Sequence, residues 1–242
     1  MTNFNTRLSI NINKIATLRN ARGGDFPDPV KAALYLQNLG VQSITVHPRP
    51  DERHIRWSDI EKLKKQLKIE LNIEGYPSDF FIDRVIKLKP EQVTLVPDPP
   101  EILTSNAGWN TIKEIDFLRK IIKKIKNSET RVSLFVDPDI NIIEGAKETG
   151  ADTVELYTGV YAENYHIKER EQLILPYIKA AELAKTLNLK VHAGHDLNTE
   201  NLTFLKQKIP FLTEVSIGHA FIADALYEGF EMTLKKYQTC LK

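Results

Sequence analysis

Along this chain, short apolar runs alternate with amphipathic stretches, and nearly every apolar run stops at a residue suited to chemistry. Eight such runs occur, at residues 9–13, 43–46, 71–73, 93–96, 132–136, 153–154, 189–193 and 214–217. Their ends carry Lys14, His47, Glu74, Asp98, Asp137, Glu155, His195 and His219. The stretches between them repeat apolar residues at helical spacing. Pro27-Asp28-Pro29 opens one that passes through Ala33 and Leu36 to Gly40. Ser58 with Glu61 reads as a capping box before another. Ser78, Asn110, Asp139 and Thr199 each precede a further helix; one long helix covers residues 171–187, and the last starts at His219. Strand then helix, repeated eight times, predicts a parallel sheet joined by right-handed crossovers. A closed (β/α)₈ barrel with additional helices places polar residues together at the C-terminal ends of its strands. The competing open sheet would carry a glycine-led turn after its first strand. Here that turn is polar and basic, from Asn11 through Arg22 to Gly23-Gly24.

The chain has 242 residues, close to the roughly 250 such a barrel needs, so one domain over 1–242 is expected. With 42% apolar residues the chain has ample material for a core. Net charge is +1, which supplies no general field for nucleic acid or an anionic membrane. No apolar run approaches the ~20 residues of a membrane span. Residues 1–7 lack the basic-then-apolar order of a secretion signal. A cytoplasmic protein is expected, with neither nucleic acid nor membrane as partner. Cys240 is the only cysteine, so no intramolecular disulfide forms, and no motif around it points to a catalytic thiol. Two strand–helix connections are long, at residues 97–108 and 157–168, as lids and binding loops often are. The basic helix bearing Arg119, Lys120, Lys123, Lys124 and Lys126 reads as a solvated face.

His47, His54, His195 and His219 fall near strand ends, and histidine titrates nearest neutrality. Glu74 and Glu155 fall there too, and a buried carboxylate must be paired, ligating or catalytic. A divalent metal held by His47, Glu74, His195 and His219 is one reading. Neither a His-x-His pair nor an aspartate set supports it, and His192, three residues before His195, is expected to face outward. No metal and no cofactor are therefore expected. Phosphate is the better ligand: Gly218-His219 stands where a strand passes into a helix, whose free N–H groups favour an anion. Arg49, Arg53 and His54 form a second cationic cluster, and Arg22 adds a third cation. Two anion sites imply two phosphorylated small molecules, or one bisphosphate.

Seven ordered segments resemble the pyridoxine 5'-phosphate synthase family: residues 11–23, 44–55, 71–74, 132–137, 154–159, 192–195 and 217–220. That resemblance implies a metal-free barrel enzyme, assembled as a homo-octamer. It condenses 1-deoxy-D-xylulose 5-phosphate with 3-amino-2-oxopropyl phosphate, yielding pyridoxine 5'-phosphate, phosphate and water. It also implies roles. His47 and Glu74 are general bases, His195 the general acid, and Glu155 a stabiliser of cationic character. Asn11, Arg22, Gly218 and His219, with Asp196, hold the aminoketone phosphate. Arg49, His54 and Thr104, with Asn13 and Lys14, hold the deoxyxylulose phosphate. The chain departs from the family pattern where Asn13-Lys14 replaces Asp-His and Asp196 replaces glycine. Lys14 opens a rival reading, a Schiff-base lyase. A phosphate-binding regulator without catalysis is the non-enzymatic alternative.

Overall fold

The computed structural model describes residues 5–98 and 107–242. β1 (Arg7–Asn11) leads through α1 (Asn13–Arg22) and α2 (Pro29–Asn38) to β2 (Ser43–Val46). Then come α3 (Trp57–Gln66), β3 (Glu70–Gly75), α4 (Asp79–Leu88), β4 (Gln92–Leu95), α5 (Ile115–Lys126) and β5 (Arg131–Val136). α6 (Ile140–Glu148) and β6 (Thr153–Tyr157) precede the short helices α7 (Gly159–Glu163) and α8 (Arg170–Leu173), then α9 (Leu175–Thr186). β7 (Lys190–Gly194), α10 (Leu202–Lys208), β8 (Glu214–Ile217), α11 (His219–Glu228) and α12 (Phe230–Cys240) complete the order. All eight strands are parallel, and β1 pairs with β8 to close the barrel. The expected (β/α)₈ barrel with additional helices is therefore the fold. Among the described residues no helix is long and apolar enough to cross a membrane.

Strand side chains alternate between two faces. One set is apolar: Ile10, Ile44, Ile73, Val93, Leu134, Val154 and Val215 are completely buried within the layer that includes the helices' apolar stripes. The other set lines the barrel and is polar, where branched apolar side chains commonly fill such an interior. Ser9 Oγ donates to Ser43 Oγ at 3.1 Å and stands 2.7 Å from Thr45 Oγ1. Asn72 donates to Thr45 at 3.3 Å and accepts from Thr94 at 3.0 Å. These cross-strand bonds keep buried hydroxyls and amides from being left without partners.

The N-terminal end of the barrel is tied by charge. Glu70 meets Arg7 and Arg131, each at 2.6 Å, and Arg7 also reaches Glu214 at 2.9 Å. His192 belongs to this layer, 3.8 Å from Glu214 and buried. The expectation that it faces outward is corrected. It shares its strand face with Gly194, two residues on, which lies against Glu155 inside the barrel.

Helix starts follow their caps. Asp28 accepts from the N–H of Val30 at 2.8 Å ahead of Pro29, and Ser78 and Asp139 cap α4 and α6. Elsewhere the boundaries differ from the sequence reading. α3 begins before Ser58, and Asp59, not Glu61, accepts the N–H of Arg56 at 2.9 Å. Asn110 caps only a turn, by accepting from Lys113 N–H at 3.0 Å, and α5 starts at Ile115. The expected helix over 171–187 is two: Pro176 has no N–H to continue the first, so α9 restarts around it. α7 occupies part of the long 157–168 connection. The first polar turn is itself a helix, α1.

Candidate active site

β2 and β3 end side by side. This brings His47 Nδ1 to 3.7 Å from Glu74 Oε2, with both side chains nearly buried. Burial, reinforced by the positive Arg49, holds the His47 imidazole well below its ordinary range. Burial pushes the Glu74 carboxyl up to about 8, against the attraction of Arg49. Arg49 is itself buried and points its guanidinium at Asp98, whose Oδ2 lies 3.4 Å away. His54 is drawn down to about 4 by burial and by the cations Arg49, Arg53 and Lys14. Its Nδ1 accepts the N–H of Ile55 at 2.9 Å.

Glu155 lies mid-strand in β6, one step deeper than the rim position expected of it. It is buried, and burial together with Glu74 and Glu214 raises its pKa well above the usual carboxylate range. Its Oε1 occupies the space over Gly194, where a Cβ would stand 2.3 Å away. Only glycine at that position leaves room for the carboxylate. His195 follows directly. The Tyr157 ring meets its imidazole edge to face, with centroids 5.0 Å apart. Asp196 Oδ2 stands 2.7 Å from its Nδ1, out of line with the ring N–H, so Nδ1 makes no aligned hydrogen bond. His195 and Asp196 both take positive φ, +91° and +58°. For side-chain-bearing residues such conformations cost on the order of 1–3 kcal/mol each and persist only where surroundings impose them.

β1 and β8 complete the rim. Asn11 Oδ1 accepts the N–H of Asn13 at 3.0 Å, and Gly218 lies against the Asn11 side chain. Asn13 Oδ1 accepts the N–H of His47 at 3.1 Å and so ties α1 to the end of β2. An amide oxygen accepts this bond in the same geometry as a carboxylate, without the added strength of charge. Lys14 is exposed in the first turn of α1, where its charge acts on His54 from one side and Asp196 from the other. The first intrahelical bond of α11 runs from Ile222 N–H to the Gly218 carbonyl. The N–H groups of His219, Ala220 and Phe221 therefore have no partner within the helix, which suits an anion.

The rim thus gathers Asn11, Asn13, Lys14, His47, Arg49, His54, Glu74, His195, Asp196, Gly218 and His219, with Glu155 one step below it. Arg22 ends α1, about 13 Å along the helix from Asn13, and is exposed. Thr104 lies outside the described residues. Among the described residues no group of three or more His, Cys, Asp or Glu is placed to hold a metal ion.

The supporting roles of two residues, Arg19 and Asp98, escaped the sequence reading. Arg19 is buried on the same face of α1 as Ile15 and Ala16, pairs with Asp59 at 2.8 Å and donates to the His54 carbonyl at 3.0 Å. A charge on an apolar stripe was the available signal, because such a charge requires a buried partner. Asp98 was visible as a strand tip, but its partner Arg49 lies 49 positions away.

The sequence model of the family described as "Pyridoxal phosphate biosynthesis protein PdxJ" matches residues 8–242. A protein of Parabacteroides distasonis named pyridoxine 5'-phosphate synthase is 54% identical over 236 residues, covering 98% of this chain and 99% of that one. One of the same name from Cytophaga hutchinsonii is 56% identical over 237 residues, covering 98% and 99%. Solved structures share the fold at low identity. A phosphoribosyl anthranilate isomerase gives a TM-score of 0.60 at 14% identity, covering 98% of both chains. A tryptophan synthase of Mycobacterium tuberculosis gives 0.68 at 13%, covering 99% of this chain and 94% of that one. The barrel, the gathered rim and the match over nearly its whole length lead to one assignment: this chain belongs to the PdxJ family of pyridoxal phosphate biosynthesis proteins.

Proposed function

We infer that this chain catalyses the condensation of 1-deoxy-D-xylulose 5-phosphate with 3-amino-2-oxopropyl phosphate to pyridoxine 5'-phosphate, phosphate and water, in vitamin B6 biosynthesis. The observation that carries this is the full-length similarity to proteins named for that synthase, at about 52–56% identity. Ring formation of this kind needs an imine, dehydrations and a final aromatisation, each of which requires proton transfers near neutral pH. Acids and bases poised near neutrality suit that better than one strong nucleophile. The aminoketone supplies its own amine, so no enzyme lysine is required.

His47 and Glu74 are the proton acceptors on one wall of the site and His195 the donor on the other. Glu155, below them, is driven toward its neutral form by burial. A cationic intermediate arriving above would favour its carboxylate and be stabilised by it. Arg49 and His54, with Lys14 and Asn13, hold one phosphorylated substrate, and Thr104 belongs to the same set. The start of α11 at Gly218-His219, with Asn11, Asp196 and Arg22, holds the other. The chain works in the cytoplasm as a homo-octamer; exposed Phe26, Leu226 and Tyr227 give it apolar surface for subunit contacts. Incubating the purified chain with both phosphates and following pyridoxine 5'-phosphate and released phosphate tests the activity. Release of neither product would overturn it. A size measurement in solution tests the octamer.

A further inference from the structure

β7 stops being a strand at His195. In an extended strand successive carbonyls point to opposite sides. Here the carbonyls of Gly194 and His195 converge on one hydroxyl. Thr158 Oγ1 lies 2.7 Å from the first and 2.6 Å from the second. The backbone N–H of Thr158 also donates to the Gly194 carbonyl, at 2.9 Å. Two consecutive carbonyls reach one donor only if the chain reverses its sense between them. The φ of +91° at His195 does this, and Asp196 continues at +58°. The Asp196 carbonyl then accepts from Asn201 Nδ2 at 3.2 Å, and Tyr161 Oη donates to the Asn201 carbonyl at 2.6 Å. Thr158 is completely buried, so water does not compete for its hydroxyl.

We propose that Thr158 is a positioning residue for the condensation: its hydroxyl and N–H hold the 194–196 turn in the conformation that aims the His195 imidazole into the site. This rests on the reading of His195 as proton donor. A threonine present only for its shape would be replaceable by valine, which has the same outline and no hydroxyl. A threonine that holds the turn would not. Once the hydroxyl is lost, nothing on Thr158 holds the His195 carbonyl, and the φ at His195 relaxes toward the negative values side-chain-bearing residues prefer. Displacement of a reacting group by about 1 Å is enough for a loss of around a hundredfold.

The test is steady-state turnover of Thr158→Val, Thr158→Ser and His195→Gln with both phosphates, beside thermal melts. Thr158→Val is expected to lose about 30- to 100-fold in kcat, with KM for the deoxyxylulose phosphate changed by less than about threefold, because that phosphate is held by residues after β1 and β2. Thr158→Ser, which keeps the hydroxyl, is expected within about fivefold of the parent. A valine variant with parental kcat, or a serine variant as impaired as valine, overturns the proposal. Should the valine variant not fold, Thr158→Ala takes its place: the same loss in kcat is expected of it, and parental kcat in it overturns the proposal. Normal turnover by His195→Gln would show instead that the reading of His195 is wrong, and the proposal would fall with it. Loss in His195→Gln with none in Thr158→Val defeats the proposal alone.

Discussion

His47 Nδ1 and Glu74 Oε2 face each other at 3.7 Å across adjacent strand ends, and burial drives both groups toward their neutral forms. A neutral imidazole and a carboxyl titrating near 8 make a pair that can accept or return a proton at little cost around neutrality. Glu74→Gln keeps the shape and removes the titration. Turnover is expected to fall by roughly a hundredfold or more, the usual scale for a general base, with substrate affinity changing much less. Near-normal turnover in the variant would make Glu74 structural.

The same burial sets the pH dependence of stability. His54 and His192 titrate at about 4 and about 3 in the folded chain, and His47 well below 6.5. Below pH 6.5 the unfolded chain therefore binds more protons at these sites, and their contribution improves as pH rises, to completion near 6.5. Glu74 (about 8), Glu214 (about 7) and Glu155 (raised) behave oppositely. The folded chain keeps protons that the unfolded chain releases near 4.5, so their contribution is lost as pH climbs toward the folded values. Between pH 6.5 and 8 the histidines finish titrating in the unfolded chain, and the carboxylates dominate the difference between states. Stability is expected to fall there, by about 1.4 kcal/mol per pH unit for each proton fully retained. Urea unfolding at the two pH values checks this, and Glu74→Gln is expected to flatten the slope. Stability that rises over the window would contradict the account.

Arg49 and His54 lie on the loop after β2, while His219 opens α11 after β8. Arg49→Ala and His54→Ala are expected to raise KM for the deoxyxylulose phosphate, and His219→Ala to raise KM for the aminoketone phosphate. Equal increases for both substrates in every variant would mean that there are not two separate anion sites.

Lys14 is exposed, so it lacks the desolvation that activates a Schiff-base lysine. Lys14→Arg is expected to retain much of the turnover at saturating substrate, and Lys14→Ala mainly to raise the substrate requirement. Collapse of turnover in both variants, with substrate trapped on Lys14 by borohydride, would favour the lyase reading instead.

An added methyl at Gly194 would meet Glu155 Oε1 at 2.3 Å. Gly194→Ala is expected to lose about 1–3 kcal/mol of stability, the usual penalty for overpacking, and at least tenfold in kcat as the carboxylate shifts. Thermal melts and kinetics on the one variant decide both points. An alanine enzyme matching the parent in each would show that Glu155 has room to move.

Period and punctuation in the chain determined the barrel. Each strand pairs with its sequence neighbour, so eight alternations with caps such as Asp28 and Ser78 already specify a closed parallel order. The polar strand ends and seven ordered segments likewise located the rim and the family without coordinates. Tertiary structure decided what depends on distant partners. His192 is an interior residue because Glu214, on the neighbouring strand, stands beside it. Glu155 is a raised acid because burial and two other carboxyls surround it. Arg49 is held by Asp98, and the turn at His195 by Thr158, across separations of 49 and 36–37 positions. Local periodicity cannot encode such pairs. A side chain's charge state and aim depend on dielectric and neighbours that exist only once the strands have closed.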